Sequence, residues 1–330
     1  MGNRDVIAIG TSAGGVEALL YIAKRLPREF PATILVTIHL SRQAGSVLDE
    51  ILTQAGPLPA KFASRGELVK KGHIYLAPPD HHLLLDNDHI ALGDGPRENN
   101  ARPAIDPMLR SVAVCCGPRS VGVVLTGTLG DGASGLWALG QCGGSTVVQD
   151  PTDAAFAEMP MMAVSQAGPD HVVRLADIPR LLGSLAHQPA GVPIVVQRGI
   201  KCEVEVAKGG QHAMEEMDNI GKRSVLACPD CGGVMWEIKE DKLIRYRCHV
   251  GHTYGAELMS VALDENLRRA LASAQRALEE RAALAQKLQR QAVASGHRLL
   301  AETWAEKVRE FERETQIIRE SVQRMERLAA

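Results

Sequence analysis

Ser12 lies in the glycine-rich string Gly10-Thr11-Ser12-Ala13-Gly14-Gly15, His39 closes an apolar run from Ile34, and Asp131 follows another run in Leu125-Thr126-Gly127-Thr128-Leu129-Gly130-Asp131-Gly132-Ala133. A serine hydroxyl is a weak nucleophile until a base takes its proton, and the base needs a third group to fix its tautomer. Ser, His and Asp at three strand ends supply those roles. Glycines beside Ser12 let a substrate approach and leave backbone N–H groups at a helix start for an oxyanion. Each residue also has a plainer reading. A glycine-rich turn after a first strand more often cradles phosphate, but Gly10-x-Ser12-x-x-Gly15 lacks the middle glycine of the dinucleotide fingerprint and is no P-loop. A single His at a strand end is commonly structural, and Asp before Gly is commonly a turn or cap residue. The order Ser, His, Asp also differs from the order Ser, acid, His of α/β-hydrolases.

A second cluster has metal-ligand spacing. Cys228 and Cys231 form a C-x2-C turn, sixteen residues follow, and Cys248 and His252 form C-x3-H. Zn²⁺ takes four tetrahedral N or S ligands, so the reading is a structural zinc ribbon held by Cys228, Cys231, Cys248 and His252. His249 is the rival fourth ligand, made awkward by its adjacency to Cys248. A reduced, metal-free loop and a redox Cys-x-x-Cys are the other readings. The first leaves so small a segment little to fold around, and the second ignores the Cys248–His252 pair. A closed site implies no catalysis by this metal, and no cofactor is expected for the Ser12 chemistry.

The elements that must position Ser12, His39 and Asp131 are continuous apolar runs: Val6 to Ile9, Ile34 to Ile38, Ile74 to Ala77, Val121 to Leu125 and Ser145 to Val148. Such runs fit strands buried on both faces of a mostly parallel sheet. Helical stretches between them, such as Val16 to Leu26 and Ile105 to Cys116, predict an α/β doubly wound fold. Its active sites form at the carboxyl ends of the strands. Leu83-Leu84-Leu85 and His89 to Leu92, around Asp86-Asn87-Asp88, read as a hairpin added to that sheet.

The chain has 330 residues, 45% apolar content and a net charge of −2. That balance gives no basic surplus for nucleic acid. No signal peptide opens it, no apolar stretch reaches the length of about 20 residues that spans a bilayer, and seven cysteines make an odd count. The expectation is a cytoplasmic protein without disulfides or membrane insertion.

Residues 1–189 resemble the catalytic domain of the bacterial chemotaxis receptor methylesterases, the CheB or protein-glutamate methylesterase family. The matching segments run in order: Ile7 to Gly15, Ile38-His39-Leu40, Gly72 to His82, Arg102-Pro103-Ala104-Ile105-Asp106, Leu125 to Ala133, and Gln149-Asp150-Pro151 through Met159-Pro160. The resemblance implies that Ser12 is the nucleophile, His39 the base and Asp131 the acid. It places Ala13, Gly14, Thr128 and Met159 at the oxyanion and substrate cleft. It further implies hydrolysis of glutamate methyl esters on methyl-accepting receptor helices, with release of methanol, and deamidation of receptor glutamines. His81 and His82 receive no catalytic role. Arg102 reads either as a contact to an acidic substrate group or as a structural ion pair with Asp106. Two departures stand out. Thr128 occupies a position where the family usually has Met, which touches substrate range. The domain begins near Val6, leaving no room for the family's phosphorylatable receiver, so control by an attached receiver is not expected. A non-catalytic scaffold and an esterase or amidase for another acyl group remain the rival functions.

The remaining regions read as a linker at 190–225, the zinc-ribbon module at 226–255, and a helical hairpin or coiled coil at 256–330 broken near Ala294-Ser295-Gly296-His297. Trp304, Phe311, Ile318 and Met325 recur every seven residues, with Leu300, Val308 and Val322 beside them and Leu267, Leu271 and Leu278 on the first helix. Packing within the hairpin is the plain expectation. Homo-oligomerisation or docking on receptor helices through this tail is the alternative.

Overall fold

The computed structural model describes residues 2–39, 47–210 and 217–329. Leu40 and residues 211–216 of the expected linker lie outside them. Residues up to Met259 form one compact unit, and Ser260 onward forms a second.

The first unit is built on seven parallel strands: β1 (Val6–Thr11), β2 (Thr33–Ile38), β3 (Ala60–Phe62), β4 (Ile74–Leu76), β7 (Ser120–Val124), β8 (Ser145–Gln149) and β9 (His171–Val173). Their order is β3-β4-β2-β1-β7-β8-β9. Alternate residues of the inner strands enter different cores. Ile7 and Ile9 pack with α1 (Gly15–Ala23), α2 (Leu48–Ala55) and α6 (Ile178–His187). Val6 and Ala8 pack with α3 (Ile105–Cys116), α4 (Ala133–Gln141) and α5 (Glu158–Ala167). Burial on both faces is the physical reason the runs are continuous rather than alternating. The chain leaves β1 toward β2 on one side and returns to β7 on the other, so β1 is the switch point at which such sheets open a crevice.

The expected hairpin exists as β5 (His82–Asp86) and β6 (His89–Gly93), but it is a separate two-stranded antiparallel sheet, not an addition to the main one. Its Leu83, Leu85 and Ile90 pack into the α3 side of the core, which satisfies them without a place at the sheet edge.

Residues 198–208, within the stretch read as linker, form helix α7 (Arg198–Lys208), whose Ile200 reaches the α3 core. The cysteine region is a four-stranded antiparallel sheet of β10 (Lys222–Ala227), β11 (Val234–Glu240), β12 (Leu243–Cys248) and β13 (Thr253–Gly255). Helix α8 (Ala256–Ala294) follows, and α9 (Arg298–Ala329) begins after a turn in which Gly296 takes φ 73°. In the second unit Ala282 and Ala285 bury against Val308 and Phe311, flanked by Leu278 and Trp304. Leu300 is instead 47% exposed. Among the described residues, no helix is long and apolar enough to cross a membrane.

Candidate active site

Three neighbouring strand ends bring the polar residues together. Ser12 follows β1, His39 follows β2, and Asp131 ends the loop that leaves β7. The Ser12 hydroxyl lies 3.1 Å from His39 Nδ1, and His39 Nε2 lies 2.8 Å from Asp131 Oδ2. A carboxylate facing Nε2 keeps the proton there, so the Nδ1 lone pair faces the hydroxyl. That is the arrangement a general base requires.

The backbone around Ser12 is stitched to the β7 exit. Ser12 N–H and the Thr11 hydroxyl both donate to the Thr126 carbonyl, at 3.1 and 2.9 Å. The Thr126 hydroxyl donates to Ala13 O at 3.0 Å and accepts from Phe156 N–H at 2.9 Å. Gly14, at φ 74°, caps α1, and a Cβ there would meet Ala155 and Thr126 at 3.1 and 3.2 Å. Ala13 and Gly14 therefore lead straight into the first turn of α1, whose N-terminus carries partial positive charge. Thr128 lines the open cleft with Ser12, His39 and Leu129. Met159 is fully buried, with its sulfur packed beneath Gly127.

Asp131 is 1% exposed and takes four donors. Oδ2 accepts from His39 and from Ile105 N–H at 2.6 Å. Oδ1 accepts from Asn99 Nδ2 at 3.0 Å and Asp106 N–H at 3.2 Å. Burial alone would raise its pKa. The His39 hydrogen bond and charge, with the Ile105 and Asn99 donors, outweigh burial and hold the carboxyl below the usual carboxylate range. Burial and the adjacent Asp131 carboxylate push Asp106 the other way, up to about 8. Of the two neighbouring carboxyls, the one facing His39 thus keeps the negative charge. Asn99 and the acidic part of Asp106 were not legible as site residues, because an Asn in Glu98-Asn99-Asn100 looks like a turn.

Other expected residues have plain structural roles. Arg102 pairs with Asp80 at 2.9 Å rather than with Asp106, and its Nη1 also donates to Asp94 O and Gly95 O. Asp106 is buried at the head of α3, where Gly135 N–H and Asn99 occupy its oxygens. His82 is fully buried, bonded to Pro96 O and Ala104 N–H, and burial lowers its pKa.

The cysteine cluster is assembled as the spacing predicted. One donor atom from each of Cys228, Cys231, Cys248 and His252 lies within 4.8 Å of the others. Cys231 and Cys248 sulfurs are 3.7 Å apart, and His252 Nδ1 is 3.6 Å from Cys228 Sγ and 3.5 Å from Cys248 Sγ. A tetrahedral ion with Zn–S bonds of about 2.3 Å has ligand-to-ligand edges of about 3.7 Å, so the donor set fits. His252 Nε2 points toward Asp230, 4.0 Å away, as the outer partner of a ligating imidazole does. His249 is outside the cluster.

A sequence profile of CheB methylesterases matches residues 7–182. The chain belongs to the CheB methylesterase family. It is 36% identical over 180 residues to a putative protein-glutamate methylesterase/protein-glutamine glutaminase of Leptospira interrogans, covering 54% of this chain and 93% of that protein. It is 37% identical over 187 residues to protein-glutamate methylesterase/protein-glutamine glutaminase 1 of Xanthomonas campestris, covering 56% of this chain and 52% of that one. The match thus spans about half the length of the Xanthomonas relative. The crystal structure of the Thermotoga maritima CheB methylesterase catalytic domain superposes with a TM-score of 0.53 and 32% identity, over 56% of this chain and 99% of that domain. The CheB-type domain is therefore the α/β sheet and its site, whereas the cysteine sheet and the helical unit lie outside the matched residues.

Gly127 is closely packed in this CheB-type site. A Cβ there would stand 2.9 Å from Ser12 Cβ and 2.7 Å from Met159 Cε. The Met159 methyl can swing away, but the Ser12 Cβ is fixed by its own backbone. Gly127→Ala should lower the turnover number about 10- to 100-fold by displacing Ser12, with thermal unfolding little changed. Unaltered turnover would mean that Ser12 is not held by this contact.

Proposed function

We propose that this chain hydrolyses glutamate methyl esters on methyl-accepting chemotaxis receptors, with Ser12 as nucleophile, His39 as base and Asp131 as orienting acid. The hydrogen-bonded series Ser12–His39–Asp131 at the switch point of the sheet carries this reading, and family membership as an ester hydrolase supports it. His39 Nδ1 takes the Ser12 proton as Oγ attacks the ester carbonyl. The N–H groups at the start of α1, around Ala13 and Gly14, hold the oxyanion. The C–O bond to methanol breaks as His39 returns the proton to the leaving oxygen. Water, deprotonated by the same nitrogen, then cleaves the acyl-enzyme to free glutamate and restore Ser12. An amide passes through the same acyl-enzyme with ammonia as leaving group, which is how receptor glutamine deamidation would proceed.

The test is methanol release from methylated receptor cytoplasmic domains, with a fluorophosphonate used to mark the reactive residue. Release of methanol together with phosphonylation of Ser12 is the expected result. No release by folded protein, or a label elsewhere, would overturn the reading in favour of a scaffold or another ester. Thr128 in the cleft is then the residue to exchange for Met.

We propose further that Cys228, Cys231, Cys248 and His252 hold a structural Zn²⁺. The ion would close the β10–β13 sheet and do no chemistry on the substrate. Purified chain should contain stoichiometric zinc by mass spectrometry, and Cys231→Ser should lose it. Metal-free protein with an intact sheet would refute the site. Leu267, Leu284 and Ile317 are exposed on the helical unit, and self-association or receptor docking would occur through that tail.

A further inference from the structure

Asp131 is held from a second direction, and that direction leads out of the α/β layer. Asn99 Nδ2 donates to Asp131 Oδ1 and to Asp106 Oδ2, both at 3.0 Å. Its Oδ1 accepts from Gly255 N–H at 3.1 Å, and its own N–H donates to Thr253 O at 2.8 Å. A backbone N–H only donates, so the Gly255 bond fixes which way the amide faces. The side chain is 8% exposed and is strapped between the triad acid and strand β13.

Strand β13 starts immediately after His252, and β12, its partner, ends at Cys248. Two of the four cluster residues thus bracket the turn that leads into the strand that Asn99 grips. The connection is reinforced one residue earlier. Glu98 is buried, pairs with Thr253 as an isolated bridge, accepts from Arg110, and lies 3.9 Å from Arg247, which directly precedes Cys248.

We propose that Asn99 is a positioning residue for Asp131, and that the cysteine sheet acts as a strut that sets it. The order of β12–β13 and the aim of the triad acid form one cooperative unit. This rests on the reading of Ser12, His39 and Asp131 as the catalytic groups. Without the Asn99 amide, Oδ1 keeps only the Asp106 N–H, and two adjacent carboxyls lose the donor that bridges them. Asp131 then keeps three of its four donors, its Oδ1 is held less firmly, and the aim of the His39 ring at Ser12 shifts. A displacement of that kind, on the order of an ångström, costs about 10²-fold in rate. If β13 loosens, Gly255 and Thr253 release Asn99 and the same loss follows.

The test uses the full chain and two readouts: the rate of Ser12 labelling by a fluorophosphonate, and the downfield proton resonance of the His39–Asp131 hydrogen bond. The variants are Asn99→Ala, Cys231→Ser at the exposed cluster residue, and the double. Each single variant should label about 10- to 100-fold more slowly, with the resonance shifted or lost while α/β circular dichroism persists. The double should be no slower than the worse single, because both remove one coupled unit. Multiplicative losses in the double, or wild-type labelling and resonance in either single, would overturn the strut. If Asn99→Ala fails to fold, Asn99→Ser, whose hydroxyl is too short to bridge Gly255 and Asp131, replaces it. A wild type that neither labels at Ser12 nor releases methanol refutes the triad reading. The response of the resonance to Cys231→Ser still decides the strut in that case.

Discussion

Asp131→Asn should lower turnover of a methylated receptor substrate by about 10⁴-fold, and Ser12→Ala by about 10⁴- to 10⁶-fold, with both proteins folded. The Asp131 effect follows from its four donors. Ile105 N–H and the His39 ring face Oδ2, and Asn99 Nδ2 and Asp106 N–H face Oδ1. An asparagine must turn its NH₂ toward one pair or the other, so two donors always meet a donor. If the NH₂ faces His39, the ring must present a lone pair at Nε2. Its proton then moves to Nδ1, where it points at Ser12 and blocks the base. If the NH₂ faces Asn99, that amide is expelled from its bonds to Asp106 and Gly255. The first orientation disables the base, and the second strips the group that aims His39 of its own support. The measurement is the initial rate of methanol release under saturating substrate, with the Michaelis constant followed separately. Asp131 is 1% exposed and both its oxygens are occupied by protein donors, so the loss should fall on the turnover number. A fall of less than tenfold would mean that Asp131 only anchors α3, and the roles of Ser12 and His39 would need another orienting group.

The legible parts of this protein were those in which the residue type is the mechanism. Continuous apolar runs forecast parallel strands because both faces of β1 and β7 are covered. Ile105 to Cys116 forecast α3 to the residue. The cysteine spacing forecast the cluster because four donors must converge on one point. What stayed hidden depends on contacts between distant segments. Asn99 acquires its role only when β13 arrives from more than 150 positions away. The partner of Arg102 was sought in Asp106, four residues on, whereas the fold supplies Asp80 from twenty-two residues back. The hairpin β5–β6 carries a continuous apolar run like the sheet strands, and nothing local says that its leucines are better satisfied against α3.

Glu203→Gln should destabilise the first unit by about 3–5 kcal/mol, which is a loss of roughly 10 °C in melting temperature. Glu203 sits on α7 and is 2% exposed. Its Oε1 accepts from Arg245 Nη1 at 2.6 Å and Arg247 Nη1 at 2.7 Å, and its Oε2 accepts from Arg245 Nη2 at 3.1 Å. Arg110 of α3 stands 3.8 Å away. The charges of Arg110, Arg245 and Arg247 are balanced by Glu98, Glu203 and Glu240, so the group is neutral as a whole. The three arginines hold the Glu203 carboxyl far below the usual range against its burial. Glutamine keeps the volume and removes the charge. Two guanidinium groups are then left in a buried site with a surplus positive charge, and one of them faces an NH₂. Desolvation makes that uncompensated charge costly, whereas an exposed pair would be worth little. Because β12 contributes Arg245 and Arg247 while α3 contributes Arg110, Glu203 joins Glu98 and Asn99 in binding the cysteine sheet to the α/β layer. Thermal unfolding followed by circular dichroism measures the loss. A change below about 1 kcal/mol would mean that water reaches this network, and α7 would then be held by its apolar contacts alone.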